Sequence, residues 1–158
     1  EIEGEFWKEY VKGHIPRVYP GIKEIMEAHK AAGGLICVVS HSHEHNILRD
    51  YDPTGLPMPD AVYGWGRPPH ERKPHPFPLL DIMERFSLEK HELLMIDDLK
   101  PGYDMARACD VDFAAVGWAN DIEPIENFMR ENCRLYFKRV EELAAFLNNV
   151  GVDKAGEI

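Results

Sequence analysis

Two adjacent carboxylates, Asp97 and Asp98, directly follow an apolar run at residues 93–96. Two negative charges about 4 Å apart repel each other by about 1 kcal/mol in water, and by more in a partly buried cleft. A Mg²⁺ ion relieves that repulsion, and carboxylate oxygens are the ligands that this cation takes. Helix initiation is the competing interpretation, because Asp favours a first helical turn and Pro101 suits one. The pair alone leaves both interpretations open.

Polar side chains also follow other apolar segments of the chain. Ser40 and His41 come directly after residues 35–39, and a hydroxyl at a strand end, followed by backbone N–H groups, can hold a phosphate oxygen. Lys73 begins a Lys-Pro-His-Pro string. Because the prolines stiffen the backbone, its ammonium group has a defined position that suits a phosphate dianion. Taken singly, a structural serine and a solvent-exposed loop lysine are the simpler interpretations.

The elements that must position these side chains can be predicted from the pattern of apolar residues. Five short apolar runs are predicted strands, at residues 35–39, 61–63, 93–96, 113–116 and 135–137. Between them, apolar residues recur at helical spacing after Pro20-Gly21, over residues 79–86 and over residues 140–147, with Gly151 as the expected helix stop. Residues 51–73 are rich in Pro and Gly and predict a loop around the second strand. The alternation indicates an α/β fold with a doubly wound parallel sheet.

In an open parallel sheet, ligands bind at the carboxyl ends of the strands. The hydroxyl of Ser40, the ammonium of Lys73 and the acids Asp97 and Asp98 each follow a separate predicted strand. We therefore expect them to converge at one edge of one sheet, as a phosphate site beside a divalent cation.

Taken in order, these segments resemble the haloacid dehalogenase superfamily of phosphatases and mutases. The string VVSH at residues 38–41 is similar to the second motif of the family, a hydrophobic strand that ends in Ser or Thr. The string KPHP at 73–76 resembles the third motif, as it occurs in the phosphoglycolate phosphatase-like branch. LMIDD at 94–98, continuing to Pro101 and Gly102, resembles the fourth, acidic motif. The resemblance covers about residues 16–147.

The resemblance implies a Rossmann-like, haloacid dehalogenase-like core and a Mg²⁺-dependent hydrolysis of small phosphorylated metabolites. It implies that Ser40 hydrogen-bonds the transferring phosphoryl group, with His41 beside it at the phosphate. Lys73 would steady the same group and orient the nucleophile. Asp98 would bind Mg²⁺ directly, and Asp97 directly or through water. Phosphomutase and dehalogenase activities also occur in the superfamily, and the acidic pair favours phosphoryl chemistry.

The family's first motif, a central strand followed by Asp-x-Asp with the nucleophile first, has no counterpart in residues 1–39. In the family that strand lies between the strands predicted here at 35–39 and 93–96. We expect the chain to be a fragment that lacks its first central strand. On its own it should be inactive and poorly stable, unless the missing segment is supplied in trans or the two neighbouring strands pair directly. Residues 1–15 would be the remnant of a helical cap, 16–150 the core and 151–158 a tail.

Three other interpretations stay open or are disfavoured by the sequence. His41, His43 and His45 suggest a metal-binding protein, although this spacing lacks the paired arrangement of a helical zinc site. The same histidines can also shape the rim of an active site. A two-component receiver domain uses similar residue types, but its acidic pair comes at the first strand, which argues against it. A non-catalytic protein that keeps the fold stays open, because the nucleophile decides it.

The amino-acid composition limits the classes of binding partner and the cellular compartment that we expect for this protein. The formal net charge of −10 disfavours nucleic acid and anionic lipid, since both require clustered Lys and Arg. No apolar run approaches the roughly 20 residues that span a bilayer. Three cysteines without metal or redox spacing are typical of reduced thiols, so we expect a cytoplasmic protein.

Overall fold

Helices and short strands alternate along residues 2–153, the part of the chain that the structure, a computed structural model, describes. The helices are α1 (Ile2–Gly13), α2 (Ile22–Ala31), α3 (Glu44–Thr54), α4 (Phe77–Phe86), α5 (Lys100–Cys109), α6 (Glu123–Asn132) and α7 (Val140–Asp153). The strands are β1 (Cys37–Val39), β2 (Ala61–Tyr63), β3 (Leu94–Asp97), β4 (Asp112–Val116) and β5 (Leu135–Phe137). Short 3₁₀ helices lie at Pro69–Glu71 and Lys90–Glu92. Among the described helices, none is both long and apolar enough to cross a membrane.

The strands form two sheets, and every pairing is parallel. In the first sheet β1 pairs with β2, and Cys37 lies opposite Ala61. In the second sheet the order is β3-β4-β5, with Ala114 of β4 between Ile96 and Leu135. All five predicted strands are present, and the α/β class with parallel pairing is confirmed.

Among the five strands of the described residues, β4 alone has a neighbour on both sides. Within residues 2–153, β1 pairs only with β2, and β3 pairs only with β4. Ile96 in β3 is 39% exposed, whereas Ala114 and Ala115 in β4 are completely buried. A strand of a doubly wound sheet is normally buried on both faces. The absence of the first central strand stays a prediction, and these unpaired edges agree with it.

Contacts along the chain divide it into two compact units, one that ends at Pro68 and one that begins at Pro69. The first unit holds α1 to α3 with the two-stranded sheet, and the second holds α4 to α7 with the three-stranded sheet. The boundary between a cap remnant and the core near residue 15 is not tested by this division and stays a prediction.

Asp60 connects the segments that meet at the beginning of the first sheet. Its carboxylate accepts hydrogen bonds from Lys30 Nζ at 2.7 and 2.8 Å and from the N–H of Ile36 at 2.7 Å, and its own N–H donates to the Ile36 carbonyl. Burial alone would raise the pKa of Asp60, but the bonds from Lys30 and Ile36 hold that pKa below its usual value. One carboxylate therefore ties the end of α2 to the beginnings of β1 and β2.

The core of the second unit surrounds β4. Met105 of α5 is completely buried, and Met129 of α6 and Leu143 of α7 are 1% and 2% exposed. The ring of Tyr103 lies edge-on to Phe113 and Phe128, with centroid distances of 5.6 and 5.3 Å. Because interiors are close-packed, this core fixes the carboxyl end of β3, which carries the acidic pair.

The helix predictions are confirmed for α2, α4 and α7, and two boundaries are wrong. The predicted loop over residues 51–73 begins too early, because α3 continues through Pro53 to Thr54. The Thr54 hydroxyl donates to the carbonyls of Asp50 and Tyr51, both at 2.8 Å, which completes the last turn after the proline. The predicted stop at Gly151 is also wrong, since α7 ends at Asp153; glycine in a helix costs only about 1 kcal/mol.

Candidate active site

Asp97, the last residue of β3, has hydrogen-bond donors on both carboxylate oxygens. Oδ1 accepts the backbone N–H groups of Asp98 at 2.8 Å and Leu99 at 3.1 Å. Oδ2 accepts the ammonium group of Lys73 at 2.6 Å. Asp97 thus ties down the backbone that leads into α5, so the helix-initiation interpretation describes this residue correctly.

Lys73 is held in a buried position rather than in a solvent-exposed loop. Its side chain is 10% exposed, and that of Asp97 is 7% exposed. Taking both charges out of water is costly, and removing one partner of such a pair leaves an uncompensated buried charge. The ion pair therefore fixes the ammonium group at the carboxyl end of β3, beside the second acid.

Gly102 makes room for this ion pair. A Cβ atom at position 102 would lie 2.2 Å from Asp97 Oδ2 and 2.6 Å from its Cγ. The backbone of the first turn of α5 therefore packs directly against the carboxylate of Asp97, which only glycine permits. The Pro-Gly step after the acidic pair is thus a steric requirement of the site.

Asp98 has a different environment from Asp97. Its Oδ2 accepts a hydrogen bond from Asn120 Nδ2 at 3.2 Å, while Asn120 Oδ1 accepts the N–H of Ile122 at 3.4 Å. That second bond orients the amide so that its NH₂ group faces Asp98. Burial, a hydrogen bond with Asp97 and the charge of Asp97 together raise the pKa of Asp98, against the opposing effect of Asn120.

The residues around Asp98 fit a divalent cation. Lys73 pairs with Asp97, while burial and the neighbouring Asp97 raise the pKa of Asp98 and so disfavour its charged form. An added cation removes that cost, and carboxylate oxygens are the donor set that Mg²⁺ prefers. Asp97 thus binds the lysine and the backbone, as helix initiation requires, and metal binding by the acidic pair stays a prediction.

Ser40 and His41 lie in the first unit, directly after β1. The N–H of Ser40 donates to the Tyr63 carbonyl at 2.9 Å and extends the β1-β2 pairing. Its Oγ accepts the N–H of Ser42 at 3.1 Å, and the imidazole of His41 lies edge-on to Trp65. The structure thus places Ser40 at a strand end, as predicted, and groups Lys73 with the acidic pair. The convergence of the two sets stays a prediction.

The histidine cluster does not form a metal site in the described part of the chain. His43 directly precedes α3, His45 lies in its first turn, and their ring centroids are 5.5 Å apart. Within that part no group of three or more His, Cys, Asp or Glu side chains is placed to hold a metal ion. Zinc sites need three or four such ligands, so the metal-binding alternative is not favoured.

Asn120 and Gly102 are site residues that the sequence alone did not identify. Asn120 follows the carboxyl end of β4, separated from it by Gly117, Trp118 and Ala119. The rule that polar residues after parallel strands reach the site could have identified it. Gly102 had a sequence signal in the Pro-Gly step, but its contact with Asp97 requires coordinates.

A known protein family and several curated proteins are similar to this chain over part of its length. The family described as haloacid dehalogenase-like hydrolase matches residues 4–116. A phosphoglycolate phosphatase from Nitrosospira multiformis is 32% identical over 93 residues, which are 58% of this chain and 40% of that protein. A phosphoglycolate phosphatase from Mannheimia succiniciproducens is 29% identical over 107 residues, 66% of this chain and 46% of the relative. The chain thus spans less than half the length of these curated relatives.

Solved structures share the fold. A predicted phosphoglycolate phosphatase from Haemophilus somnus superposes with a TM-score of 0.73 at 21% identity, over 91% of this chain and 63% of that one. A haloacid dehalogenase superfamily hydrolase from Ehrlichia chaffeensis superposes with a TM-score of 0.65 at 17% identity, over 94% of this chain and 71% of that one. At these identities the likeness concerns the fold alone.

Proposed function

The chain belongs to the haloacid dehalogenase-like hydrolase family, and on this premise we propose that it carries the phosphate and metal site of a Mg²⁺-dependent phosphate monoester hydrolase. The observation that carries the proposal is the buried ion pair of Lys73 with Asp97, next to the partly buried Asp98. A fixed ammonium group beside paired carboxylates suits a phosphoryl group that is bound together with a cation.

Lys73 is proposed to steady the phosphoryl group. An ammonium group has three N–H donors, so it can hold Asp97 and a phosphoryl oxygen together. Asp97 acts by holding the ammonium group in place. Because the pair is almost completely buried, water screens the lysine poorly, and its attraction for phosphate is stronger than at an exposed surface.

Asp98 is proposed to be the direct Mg²⁺ ligand, and Asp97 contributes directly or through water. The cation would supply positive charge next to the phosphoryl oxygens. Asn120 donates a hydrogen bond to Oδ2 of Asp98 and so helps to orient this carboxylate. Such supporting hydrogen bonds commonly set how well a carboxylate binds its metal.

Ser40 is proposed to donate a hydrogen bond to the phosphoryl group, with His41 beside it. Two features support this role: the position of Ser40 at the carboxyl end of β1, and the order of the motifs along the chain. The bond from the N–H of Ser42 to Ser40 Oγ does not use the hydroxyl proton, so that proton can be donated to a phosphate oxygen.

The nucleophile is proposed to come from a segment outside residues 1–158, supplied in trans. Residues 1–39 contain no Asp-x-Asp after an apolar run. The unpaired edges of β1 and β3 agree with a missing strand. The proposed substrate is a small phosphorylated metabolite, either phosphoglycolate, after the printed names of the relatives, or a sugar phosphate.

The experiment is a Mg²⁺-dependent phosphatase assay with p-nitrophenyl phosphate on protein that contains both this chain and the nucleophile segment. We expect Asp98→Asn and Lys73→Met each to lower kcat/KM by about 100-fold or more. Asp104→Asn is the matched control, because this acid lies on α5 in an exposed pair with Lys100; we expect less than about a twofold change. Equal effects of Asp98→Asn and Asp104→Asn would refute the site.

A further inference from the structure

Glu44, in the first turn of α3, binds the loop that follows β2. Its Oε1 accepts the N–H of Gly64 at 2.9 Å, and its Oε2 accepts the N–H of Gly66 at 3.1 Å. Burial alone would raise the pKa of Glu44, but these N–H groups and the nearby Arg67 hold that pKa below its usual value. Glu44 is therefore ionised at neutral pH, and both oxygens of one carboxylate hold the backbone on either side of Trp65.

The two glycines are required by this contact. A Cβ atom at Gly64 would lie 2.5 Å from the Ser42 carbonyl oxygen and 2.9 Å from Cδ of Glu44. At Gly66 it would lie 2.5 Å from Oε2 of Glu44. The Gly-Trp-Gly sequence thus lets the backbone approach the carboxylate closely and leaves Trp65 as the only side chain of the turn.

The same turn is connected to the predicted phosphate-binding serine. The N–H of Trp65 donates to the Ser42 carbonyl at 2.9 Å, and the N–H of Ser42 donates to Ser40 Oγ at 3.1 Å. Two hydrogen bonds therefore link the backbone of Trp65 to the hydroxyl of Ser40. The tryptophan has a defined position at the edge of the sheet where Ser40 lies.

Trp65 and His41 present two ring surfaces at this edge. Their ring centroids are 6.0 Å apart and their planes are at 89°. Trp65 is 47% exposed, although tryptophan is usually highly buried. Ligand sites are lined mainly by hydrophobic and aromatic side chains, and this exposed indole lies on a turn whose three N–H groups are all hydrogen-bonded.

We propose that Trp65, together with His41, is a subsite for the alcohol part of the substrate. This subsite favours phosphate esters whose alcohol presents a ring or another flat apolar face. Glu44 is the residue that positions Trp65. This inference rests on the proposed function, because it takes Ser40 as the phosphate contact. It distinguishes between the two proposed substrates: a sugar ring offers the indole an apolar face, whereas glycolate offers a carboxylate, for which an aromatic wall is unsuited.

The test compares two stable phosphate mimics of equal charge, phenylphosphonate and methylphosphonate, on the ¹⁵N-labelled 158-residue chain with Mg²⁺. The chain has three tryptophans, and Trp65→Phe identifies the indole N–H signal of Trp65. We expect phenylphosphonate to shift that signal and to bind about fivefold more tightly than methylphosphonate. Trp65→Ala should abolish the preference and Trp65→Phe should keep most of it.

Glu44 is tested by whether a conservative change rescues the preference. Glu44→Ala should abolish it, while Glu44→Gln should restore part of it, because the amide oxygen still accepts one N–H group. Tyr19→Ala, which removes another exposed ring of the first unit at 45% exposure, is the matched control and should leave the preference intact.

The outcomes separate this inference from the proposed function. Equal affinity for the two phosphonates, with the Trp65 signal unmoved, would overturn the subsite and leave the phosphatase proposal standing. Failure of both phosphonates to bind in the presence of Mg²⁺ would overturn both. The affinities of the unsubstituted chain for the two phosphonates decide between these results, and Trp65→Phe is needed only to assign the Trp65 signal.

Discussion

The ammonium nitrogen of Lys73 lies 2.6 Å from Oδ2 of Asp97, although the two residues are 24 positions apart and the exposed fractions of their side chains are only 10% and 7%. The lysine therefore pairs with the first acid of the pair. Asp97 therefore holds the lysine in place, and Asp98, which accepts a hydrogen bond from Asn120, is the acid that we propose as the direct Mg²⁺ ligand.

Replacing Lys73 tests how much the ion pair of Lys73 with Asp97 contributes to stability. Lys73→Met keeps the length of the side chain and leaves Asp97 without its cation, so we expect the free energy of unfolding to fall by about 3–5 kcal/mol. Lys100→Met is the matched control, because the side chains of Lys100 and Asp104 are 59% and 40% exposed; its cost should stay below about 1 kcal/mol. Urea denaturation measures both, and equal losses would contradict the buried pair.

Gly102→Ala tests the steric requirement at the same carboxylate. In a helix interior alanine is normally more stable than glycine by about 1 kcal/mol. Here the new Cβ atom would meet Asp97 Oδ2 at 2.2 Å, so we expect a destabilisation of about 1–3 kcal/mol in urea denaturation. At Gly13 a Cβ atom would meet nothing within 4 Å, and Gly13→Ala should not destabilise the protein. A stabilising effect of Gly102→Ala would show that Asp97 is not held as described.

Asn120→Ala tests whether the amide supports the metal ligand. Loss of the hydrogen bond to Asp98 leaves that carboxylate free to rotate, so we expect Mg²⁺ to bind about tenfold more weakly. Isothermal titration calorimetry on the full chain measures this. In the control Asn132→Ala, the lost amide donates only to the Phe128 carbonyl within α6, and affinity should not change. Unaltered Mg²⁺ binding by Asn120→Ala would remove Asn120 from the site.

The lowered pKa of Asp60 predicts a pH dependence of stability. Its usual value is 3.8, and the folded protein holds it lower. The stabilisation is therefore complete above the unfolded pKa and is lost as the pH falls through the folded pKa. We expect Asp60→Asn to cost about 1 kcal/mol at pH 7, and this difference from the unsubstituted chain should shrink below pH 3.8.

Urea denaturation between pH 7 and pH 3 follows this difference. Asp112→Asn is the matched control, because Asp112 is 61% exposed and lies 3.6 Å from Arg134, so it should change stability little at any pH. A difference for Asp60→Asn that persists unchanged at pH 3 would contradict the assignment.

The strands were predictable because strands of a parallel sheet are apolar at nearly every position, as in β1 and β3. Helix α3 was not, because its first turn lies within a run of histidines and its last turn contains Pro53. The polar appearance of the segment concealed Glu44, whose partners Gly64 and Gly66 are 20 and 22 positions away. Contacts between distant segments leave no periodic signal.

The site residues likewise divide into those that the sequence identified and those that only the structure revealed. Resemblance to family motifs identified Lys73, Asp97 and Asp98, and the structure brings these three together. The sequence could not show that Lys73 pairs with Asp97 rather than with Asp98, since adjacent acids are equivalent in sequence. Asn120 lies 22 positions from Asp98 in a loop with no motif, so only coordinates connect the two.

The most direct test of the central claim is phosphate release from p-nitrophenyl phosphate with Mg²⁺, measured on the same sample as its intact mass. We predict no release from a sample that contains only the 18.1 kDa chain, and release when a second polypeptide that carries the nucleophile is present, with Asp98→Ala abolishing it. Mg²⁺-dependent release from the 18.1 kDa chain alone would contradict a nucleophile supplied in trans. No release with both polypeptides present would contradict the phosphatase assignment itself.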